Sequence, residues 1–421
     1  MPELLPFRAL RYHTPSGSLS ELLAPPYDVI DPEQARFLRE RHPFNSVRLV
    51  LPEGEAPEKY EYASRTLTDW IESGVLERDP APSVTVYRQS FEAPEGPVTR
   101  HALFAALELS LFGAGEVLPH ERTHSGPKRD RLALTLATRT QLSPIFLTTR
   151  DESEALYTEL VGIASGREPD YRAETADRVT HAAWRVTDPH TCSRLCQAAG
   201  DGPLLIADGH HRYETALEVR RRIGEEVPDA RFVLACVVSG EDPGLRIQPT
   251  HRTVAGWPPG RTQTDWMDRL AERFTMQAIA GPQDNPDQLA AEAERTGSLV
   301  VVSPAGAWKL EPILEVASDA GLDEADLAIP SVVFDRLVVE GILALDADAA
   351  AHAGQLLYLR DASEAVSAAG ALGAAFLLPA VSASAVWKVT GLGRRLPPKS
   401  TYYEPKVPSG LLFRPLEVAS D

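Results

Sequence analysis

The sequence predicts a mixed α/β (α+β) fold, and three observations lead to this prediction. The chain has 421 residues, of which 43% are hydrophobic, and this is enough to bury a sizeable core. Short apolar, β-rich runs alternate with segments of helical character. Thirty-five prolines divide the chain into short elements. Such alternation is typical of connected mixed sheets covered by helices.

Cap and turn signals place the elements of the first half. We expect residues 24–30 (APPYDVI) to be extended, because a residue before proline avoids the helical region. Asp31 is a predicted N-cap, with Pro32 in the first turn, of a helix that ends near Glu40. The other elements expected here are helices at Glu58–Glu72, Lys128–Thr138, Glu152–Ser165 and Pro189–Ala199, a hairpin of Val84–Phe91 and Arg100–Leu109, and strands from Pro144 and at Thr180–Thr187.

The second half continues the alternation. Residues 202–206 (GPLLI) predict a buried strand, and a helix is expected from Tyr213 onward. Strands are expected at Ala230–Val238 and Leu245–Val254, and residues 354–381 predict a strand, a helix and a second strand. The tail at Leu396–Gly410 is expected to be a proline-rich polar loop.

The stretch ADGHHRYETAL, which begins at residue 207, is the most informative part of the chain. Gly209 allows a turn between the expected strand and helix, and His210, His211 and Arg212 follow it. A helix N-terminus offers unpaired N–H groups and a partial positive charge, so it binds anions. Two imidazoles and a guanidinium at that place predict a phosphate site. The alternative is a structural turn in which Asp208 caps the helix.

Composition excludes several classes of protein. The formal net charge of −18 argues against a general nucleic-acid binder, which usually carries a basic surface. We expect no membrane span and no secretory signal, and hence a cytoplasmic location. Cys192, Cys196 and Cys236 are expected to be reduced core residues. The sequence lacks the P-loop, Rossmann, G-x-S-x-G and H-E-x-x-H motifs, so any phosphate chemistry must use another cradle.

A polar loop and the helix start after it form a second candidate site. His120, Glu121, Lys128 and Arg131 lie within a dozen residues, in the stretch PHERTHSGPKRDR. Loops carry function disproportionately, so this mixture of acids, imidazoles and cations is a candidate reaction centre. The alternative is a surface loop followed by a charged first turn of a helix.

Two further polar segments follow. The stretch PTHR ends at Arg252, and its His-Arg pair either faces a cleft or forms an exposed turn. In PPKSTYYEPK, Lys399 and Lys406 supply charges that suit phosphate, and the hydroxyls of Ser400 and Thr401 can support them. The alternative is that the two tyrosines of this segment clamp the tail onto the body.

Eight motifs in order resemble the domain-of-unknown-function family 1015. They are APPYDVI, NSVRL, PHERT, PKRDRL, SPIF, ADGHHRYETAL, PTHR and PPKSTYYEPK. The resemblance covers nearly the whole chain, and the order of the motifs makes it specific. The family name itself implies no activity, although the resemblance implies a link with serine metabolism.

At longer range, DGHHRYETA is similar to a motif of ParB-type nucleotide-binding domains, sulfiredoxin and the free serine kinases. This resemblance implies a ParB/sulfiredoxin-like core, with additional sheets and helices here, and phosphate binding at a helix N-terminus. Sulfiredoxin has a reactive cysteine where this chain has His210, so sulfur repair is not expected. The acidic charge and the lack of a DNA-reading domain do not fit chromosome partitioning. The serine kinases share the Asp-Gly-His-His-Arg form found at Asp208–Arg212.

We expect two regions. Residues 1–260 would contain the phosphate-binding core, and residues 261–421 would form a C-terminal α/β region whose tail loop could return to the site. The expected partners are a small phosphorylated ligand and an amino-acid-like substrate, with no membrane and no nucleic acid.

The leading hypothesis is a phosphotransferase that acts on a small metabolite hydroxyl, with free serine as the acceptor. The donor is left open among ATP, ADP and pyrophosphate. Glu121 is the candidate base, with His120 beside it and Asp28 as the alternative, and Asp208 or Glu121 could hold Mg²⁺. The residues expected to bind phosphate are Gly209, His210, His211, Arg212, Lys128, Arg131, Arg252, Lys399, Ser400, Thr401 and Lys406. The alternatives are a phosphatase on phosphoserine or a similar ester, and a non-catalytic nucleotide-binding regulator of the ParB type.

Overall fold

The structure is a computed structural model, and it describes residues 1–13, 17–121, 125–255, 263–279, 285–370 and 373–417. The chain forms two compact units. Unit 1 consists of Met1–Pro119, Thr123–Arg246 and Pro405–Asp421, and unit 2 consists of His120–Arg122 and Ile247–Glu404. The expected division at residue 260 stays a prediction. It is a single boundary in the sequence, whereas each of these units is assembled from several separate segments of the chain.

Elements are numbered along the chain. The helices of unit 1 are α1 Leu19–Leu22, α2 Pro32–Arg41, α3 Val47–Val50, α4 Glu58–Glu72, α5 Ser125–Thr138, α6 Ala155–Gly166, α7 Pro189–Ala199 and α8 His210–Ile223. Its strands are β1 Leu4–Leu5, β2 Leu10–Tyr12, β3 Leu76–Arg78, β4 Val84–Ala93, β5 Gly96–Glu108, β6 Val117–Pro119, β7 Thr140–Gln141, β8 Ile145–Thr149, β9 Tyr171–Glu174, β10 Thr180–Val186, β11 Leu204–Asp208, β12 Phe232–Ser239 and β21 Arg414–Pro415. The chain passes into unit 2 along β13, Arg246–Gln248.

A large mixed sheet organises unit 1. Among the described residues, nine strands form it in the order β6-β11-β8-β12-β5-β4-β10-β9, with β1 beside β5. The pairs β6/β11 and β8/β12 are parallel, and the remaining neighbours are antiparallel. Strand β11 therefore lies between β6 and β8. The turn at Gly209 follows the C-terminal end of this strand.

The core of unit 1 fills one side of this sheet. Side chains from β5, β8, β11 and β12 pack there against α6, α7 and the apolar face of α8. Tyr213 on α8 is fully buried in this core, and its hydroxyl donates to the Ser110 carbonyl at 2.8 Å and accepts from the Ser110 amide at 3.0 Å. These two bonds hold the first turn of α8 in place.

Unit 2 has its own sheet. Its helices are α9 Gln263–Ala271, α10 Pro286–Thr296, α11 Leu314–Asp319, α12 Glu324–Leu327, α13 Pro330–Phe334, α14 Ala347–His352, α15 Ala362–Ala369 and α16 Ala383–Gly391, with a π-helix at Asp335–Leu343. Its strands are β14 His251–Val254, β15 Phe274–Ala278, β16 Leu299–Ser303, β17 Gly306–Pro312, β18 Leu356–Leu359, β19 Ala374–Leu377 and β20 Tyr402–Glu404. Within the described ranges, six strands order as β15-β17-β16-β19-β14-β18.

The prediction of a mixed α/β fold is confirmed. Several helices were also predicted at the right positions in the sequence. Helices α4 and α7 have the predicted bounds, and Asp31 caps α2 by accepting from the Gln34 amide at 2.8 Å. The predicted strand–helix–strand at residues 354–381 is present as β18, α15 and β19. The three cysteines are buried and unpaired with one another, as expected of core residues.

Four local predictions were wrong. Residues 27–29 form a 3-10 turn instead of an extended segment, and Pro249 and Thr250 interrupt the strand expected at Leu245–Val254. The tail loop contains the short strand β20. Helix α8 begins at His210, three residues before the expected start, because the left-handed Gly209 already ends the strand. The two histidines and Arg212 therefore lie within the first helical turn.

Candidate functional site

The candidate site in unit 1 is built on β11, Gly209 and α8. Residues Leu204–Ala207 are apolar and buried, so the strand is fixed within the sheet as far as Asp208. Gly209 then adopts φ 96°, a left-handed conformation that glycine reaches without strain, and it is the N-cap of α8. It has no side chain to accept from the first N–H groups of the helix. The expectation that Asp208 caps the helix is wrong, since the N-cap is Gly209 and the Asp208 carboxylate binds cations.

Gly209 also permits a close contact. A Cβ at this position would lie 2.9 Å from Nε and 3.0 Å from Cζ of Arg212. The guanidinium therefore packs directly over the glycine, in space that any other residue would occupy. Its Nη1 donates to the carbonyl of Pro144 in the SPIF motif. Its Nε is buried and has no hydrogen-bond partner among the described residues.

Two cations hold Asp208. Arg212 Nη2 donates to Asp208 Oδ2 at 2.6 Å, and Lys406 Nζ lies 3.3 Å from Oδ1. Burial alone would raise the pKa of Asp208, but the charges of Lys406 and Arg212 outweigh it and lower the pKa below its ordinary value. The carboxylate is therefore ionised, and it fixes both cations beside the start of α8.

Lys406 is positioned from a distance in sequence. Gln89 Nε2 on β4 donates to the Lys406 carbonyl at 3.0 Å, and Arg100 Nη2 on β5 donates to the carbonyl of Pro405. Gln89 and Arg100 are each only 1% exposed and also bond to one another. Two buried side chains of the large sheet therefore anchor the backbone that carries this lysine.

The remaining predicted phosphate ligands of unit 1 have partners of their own. Lys128 on α5 forms an ion pair with Glu214 on α8. Arg131 bonds to Asp130 and donates to the Val50 carbonyl at 2.6 Å, and its guanidinium lies 4.1 Å from the Tyr27 ring centre. The charges of these partners reduce the attraction that Lys128 and Arg131 offer to an anion, and phosphate binding by either stays a prediction.

The two histidines occupy different environments. His210 is 6% exposed, whereas His211 is half-buried and its carbonyl accepts from Thr215 Oγ1 at 2.7 Å. Because His211 is the more accessible of the two, it is better placed to meet a ligand in solution. Direct phosphate contacts by both histidines stay predictions.

Tyr27 and Asp28 lie close to this site. Burial raises the pKa of the Tyr27 phenol, as do Asp28 and Asp208, whereas Arg212 and Arg131 act in the opposite direction. The phenol is therefore within electrostatic range of all four charges. Asp28 is exposed and makes no hydrogen bond or ion pair within the described part of the chain.

Unit 1 thus brings five of the sequence motifs together. Tyr27 comes from APPYDVI, Arg131 from PKRDRL, Pro144 from SPIF, Arg212 from ADGHHRYETAL and Lys406 from the end of PPKSTYYEPK. Sequence reasoning missed Tyr27, Gln89 and Arg100. Tyr27 is flanked by proline and aspartate, which is a usable signal, but a glutamine and an arginine within strands give none.

Unit 2 brings together the other predicted residues. His120 is 1% exposed, and its Nε2 lies 2.7 Å from Thr401 Oγ1. Glu121 Oε1 accepts from the Lys399 amide at 3.1 Å. The PHERT and PPKST motifs therefore meet through these two bonds. The last two residues of PHERT, 122 and 123, lie outside the described residues.

Arg252 holds the same loop from inside. It is fully buried, and it donates to the carbonyls of Thr250 at 2.9 Å, Pro398 at 3.2 Å and Lys399 at 3.0 Å. The interpretation of PTHR as an exposed turn is wrong, because its His-Arg pair is buried on the interior strand β14, and its place at a cleft stays a prediction. Ser400 Oγ accepts from Ser331 Oγ at 2.7 Å and donates to the Pro397 carbonyl at 2.6 Å. Phosphate binding by Arg252, Ser400 and Thr401 stays a prediction, and the observed bonds give each a structural role.

Lys399 differs from its neighbours. Its backbone is in the left-handed region, with φ 58°, and its side chain is exposed. Neighbouring hydrogen bonds stabilise this conformation, which is uncommon for a residue with a side chain. Lys399 is therefore presented to solvent by a tightly held loop.

The described residues do not form a metal centre by themselves. No group of three His, Cys, Asp or Glu side chains suited to a metal is present among them. Asp208, the predicted Mg²⁺ ligand, already balances Arg212 and Lys406, so its oxygens do not fit a divalent cation in this arrangement. Mg²⁺ binding stays a prediction. In the described part of the chain, no helix has the length and apolar character needed to cross a membrane.

Solved structures of similar chains were found. They include a mutant free serine kinase in complex with ADP, at 13% identity and TM-score 0.36, covering 72% of this chain and 87% of that chain. A conserved hypothetical protein from Pyrococcus furiosus matches at 14% identity and TM-score 0.35, covering 73% and 93%. SbnI with C-terminal truncation from Staphylococcus aureus matches at 10% identity and TM-score 0.38, covering 74% and 87%. At these identities and TM-scores the likeness carries no argument about function.

A comparison with curated proteins finds no match. A family model described as "Protein of unknown function (DUF1015)" matches residues 4–328. The matched range includes the APPYDVI, PKRDRL, SPIF, ADGHHRYETAL and PTHR motifs, and it ends before PPKST. Because the match spans more than half of the chain, the protein belongs to the DUF1015 family.

Proposed function

We propose that the protein is a phosphotransferase that transfers a phosphoryl group to a small metabolite hydroxyl, with free serine as the acceptor. The observation that carries the proposal is the start of α8. It has no side-chain cap, and Arg212 and Lys406 are fixed beside it by Asp208. A helix N-terminus with its partial positive charge, together with fixed cations, suits the phosphates of a donor.

The reaction needs little covalent chemistry from the protein. The bond between the terminal phosphorus of the donor and its bridging oxygen breaks, and a bond from phosphorus to the serine hydroxyl oxygen forms. The hydroxyl proton passes to a base, and the shortened donor leaves with the bridging oxygen. Positioning and charge neutralisation account for most catalysis of this kind. His211, Arg212, Lys406 and the α8 N-terminus would supply both.

The base is assigned to one of two carboxylates. Asp28 is exposed, free of partners in the described structure, and close to the Tyr27 phenol beside Arg212. Glu121 uses one oxygen to hold the Lys399 amide. A base must be free to accept a proton from the acceptor, so Asp28 is the stronger candidate and Glu121 the second.

The test is direct assay of phosphoserine. The full chain is incubated with serine, Mg²⁺ and, separately, ATP, ADP or pyrophosphate, and the product is detected by phosphorus NMR. We expect phosphoserine from at least one donor. Asp28→Asn should lower kcat by about a hundredfold, the usual contribution of a general base. His211→Ala should mainly raise the KM for the donor.

Controls separate these roles from loss of folding. Glu33→Gln removes an exposed carboxylate from α2 and should leave kcat unchanged. Full activity of Asp28→Asn together with a loss in Glu121→Gln would move the base to Glu121. Absence of product with every donor would overturn the phosphotransferase proposal.

A second candidate function is a non-catalytic phosphate or nucleotide sensor. It is favoured by the bonds of His120 and Glu121, which tie two of the three predicted catalytic side chains to the PPKST loop. Tight binding of a nucleotide without turnover by any donor would support it. Release of phosphate from phosphoserine in the absence of a donor would instead favour a phosphatase.

A further inference from the structure

Tyr27 lies beside the start of α8, although its segment is distant in the sequence. It begins the short 3-10 turn Tyr27–Val29. Tyr27, Arg131 and Arg212 line the same small recess between α5 and α8. The recess offers only about 50 Å³, which is room for a few water molecules and too little for a metabolite. A ligand can therefore meet these side chains only from the solvent side.

The hydroxyl of Tyr27 is an available donor at this place. It makes no hydrogen bond to any residue that the structure describes. The side chain is half-buried, and its oxygen is not among the buried polar atoms that lack a partner in the described part of the chain, so it is open to solvent. Burial raises the pKa of the phenol, and Asp28 adds to this effect, whereas Arg212 and Arg131 oppose it without cancelling it. The hydroxyl therefore keeps its proton at neutral pH.

A cation holds the ring of Tyr27. The guanidinium of Arg131 lies over this ring, with its carbon 4.1 Å from the ring centre. Arg131 is only 7% exposed. Its Nη1 donates to the Val50 carbonyl at 2.6 Å, and its Nε donates to Asp130 Oδ2 at 3.0 Å. Groups of α3 and α5 therefore fix the guanidinium against the ring.

Asp130 is itself bound from α4. Its Oδ1 accepts from the Tyr60 hydroxyl at 2.9 Å and lies 2.6 Å from Lys59 Nζ. Burial would raise the pKa of Asp130, but Arg131 and Lys59 outweigh it and lower the pKa to about 2. The carboxylate is therefore ionised, and it balances the charge of Arg131. At the end of this network lies the Tyr27 hydroxyl, which has no partner among the described residues.

We propose that Tyr27 is a further substrate-binding residue, whose hydroxyl donates a hydrogen bond to a phosphate oxygen of the donor beside Arg212, and that Arg131 is a positioning residue that acts through the Tyr27 ring. The inference rests on the proposed function and adds a neutral hydrogen-bond donor to its cations. Because Asp130 balances the charge of Arg131, this arginine contributes by holding the ring rather than by attracting the anion.

Tyr27→Phe tests the hydroxyl, because it keeps the ring and its contact with Arg131. Titration calorimetry with pyrophosphate on the full chain should show about tenfold weaker binding, the effect of one hydrogen bond to a charged group. The matched control is Tyr62→Phe, which removes an exposed hydroxyl from α4 and should leave pyrophosphate binding unchanged. Equal affinity of Tyr27→Phe and the unchanged protein would overturn the inference.

Arg131→Lys separates positioning from charge. Lysine keeps the positive charge but lacks the planar guanidinium that bonds to Asp130 and Val50 while it lies over the ring. The variant should weaken pyrophosphate binding about three- to tenfold, and it should have no further effect in combination with Tyr27→Phe. Normal binding by Arg131→Lys would contradict the positioning role, and so would additive losses in the double variant.

The assay for phosphoserine gives a readout that a general loss of folding does not produce. Tyr27→Phe and Arg131→Lys should raise the KM for the donor and leave the KM for serine unchanged. A raised KM for serine alone would overturn the assignment of the hydroxyl to phosphate. Pyrophosphate binding that neither variant alters would overturn this inference alone, whereas absence of binding by the unchanged protein would overturn the proposed function as well.

Discussion

Gly209 is the residue on which the geometry of the proposed phosphate site depends most directly. Its left-handed backbone turns the chain from β11 into α8, and its missing side chain leaves room for the Arg212 guanidinium. Asp208 then fixes that guanidinium from the other side. A single glycine therefore sets both the direction of the helix start and the position of its nearest cation.

Gly209→Ala should impair ligand binding beyond its effect on stability. The substitution places a Cβ 2.9 Å from Arg212 Nε, so the guanidinium must move. We expect pyrophosphate to bind about tenfold more weakly, the loss of one charged hydrogen bond, and the free energy of unfolding to fall by about 1 kcal/mol. Calorimetry and urea unfolding measure the two effects.

The matched control is Gly202→Ala, in the turn before β11. Gly202 has φ 105°, and a Cβ there would meet nothing within 4 Å. It should show the same loss of stability and normal binding. Equal binding by the two variants would mean that the position of Arg212 does not matter for the ligand.

At the scale of elements, strands β4 and β5 hold the segment that carries Lys406. Gln89 and Arg100 bond to the carbonyls of Lys406 and Pro405, more than 300 residues away along the chain. The lysine can approach Asp208 only while this backbone is held. The interior of the sheet thereby contributes to the site without touching it.

Gln89→Met should weaken pyrophosphate binding through Lys406. We expect about a tenfold loss in Lys406→Met, as for one charged hydrogen bond, and a smaller loss in Gln89→Met. In the double variant, Gln89→Met should add nothing, because the group it positions is gone. Additive losses would show that Gln89 acts only on general stability. Gln197→Met, on the exposed face of α7, is the control.

Arg252 organises the loop of unit 2, and Arg252→Met tests that role. The substitution leaves the carbonyls of Thr250, Pro398 and Lys399 without their donor. We expect a loss of about 3 kcal/mol in the free energy of unfolding, about 1 kcal/mol for each buried carbonyl left without a donor, with pyrophosphate affinity unchanged. Unchanged stability with lost binding would restore Arg252 as a phosphate ligand. Arg336→Met, which removes an exposed arginine paired with Glu340, is the control.

The same elements show how far sequence reasoning reaches. Helices α4 and α7 were predicted with their observed bounds because a proline and a capping aspartate at α7, and a long amphipathic pattern at α4, are local signals. The start of α8 was placed too late because His210 and His211 have no strong helical preference, and a left-handed glycine resembles an ordinary turn.

The candidate site could be predicted only in part, because local sequence patterns reveal contacts within one element but not contacts between distant segments. Asp208 and Arg212 lie four residues apart on one motif, so their proximity follows from the helix. Lys406 was singled out for its charge, but its contact with Asp208 depends on pairing across the large sheet. The burial of Arg252 likewise depends on β14 lying between β18 and β19, which no local pattern reveals.

At the scale of the whole molecule, a buried histidine with a lowered pKa lies in each unit, His181 in unit 1 and His251 in unit 2. Burial lowers the pKa of His181 in unit 1 and of His251 in unit 2 to about 4 in each case. Nitrogen Nδ1 of His251 accepts from the Leu378 amide at 3.2 Å, a bond that requires the unprotonated ring. His181 lies between the hydroxyls of Tyr87 and Thr175, at 2.6 and 2.8 Å.

These histidines should make folding sensitive to mild acid. Their pKa in the unfolded chain is about 6.5, above the folded value, so the unfolded state binds more protons between the two. Their contribution to stability is complete above pH of about 6.5 and is lost as the pH falls toward 4, by up to about 1.4 kcal/mol per pH unit for each histidine. Urea unfolding at pH 7.5, 6.5 and 5.5 measures this slope.

His251→Asn is the decisive variant, because an asparagine Oδ1 can accept from the Leu378 amide and does not titrate. It should remove the share of His251 and so reduce the dependence of the free energy of unfolding on pH between 6.5 and 5.5, while the share of His181 remains. His190→Asn, which removes an exposed histidine from α7, should leave the slope as it is in the unchanged protein. An unaltered slope in His251→Asn would show that this histidine is already protonated in the folded state, and the bond from the Leu378 amide would then have to be absent.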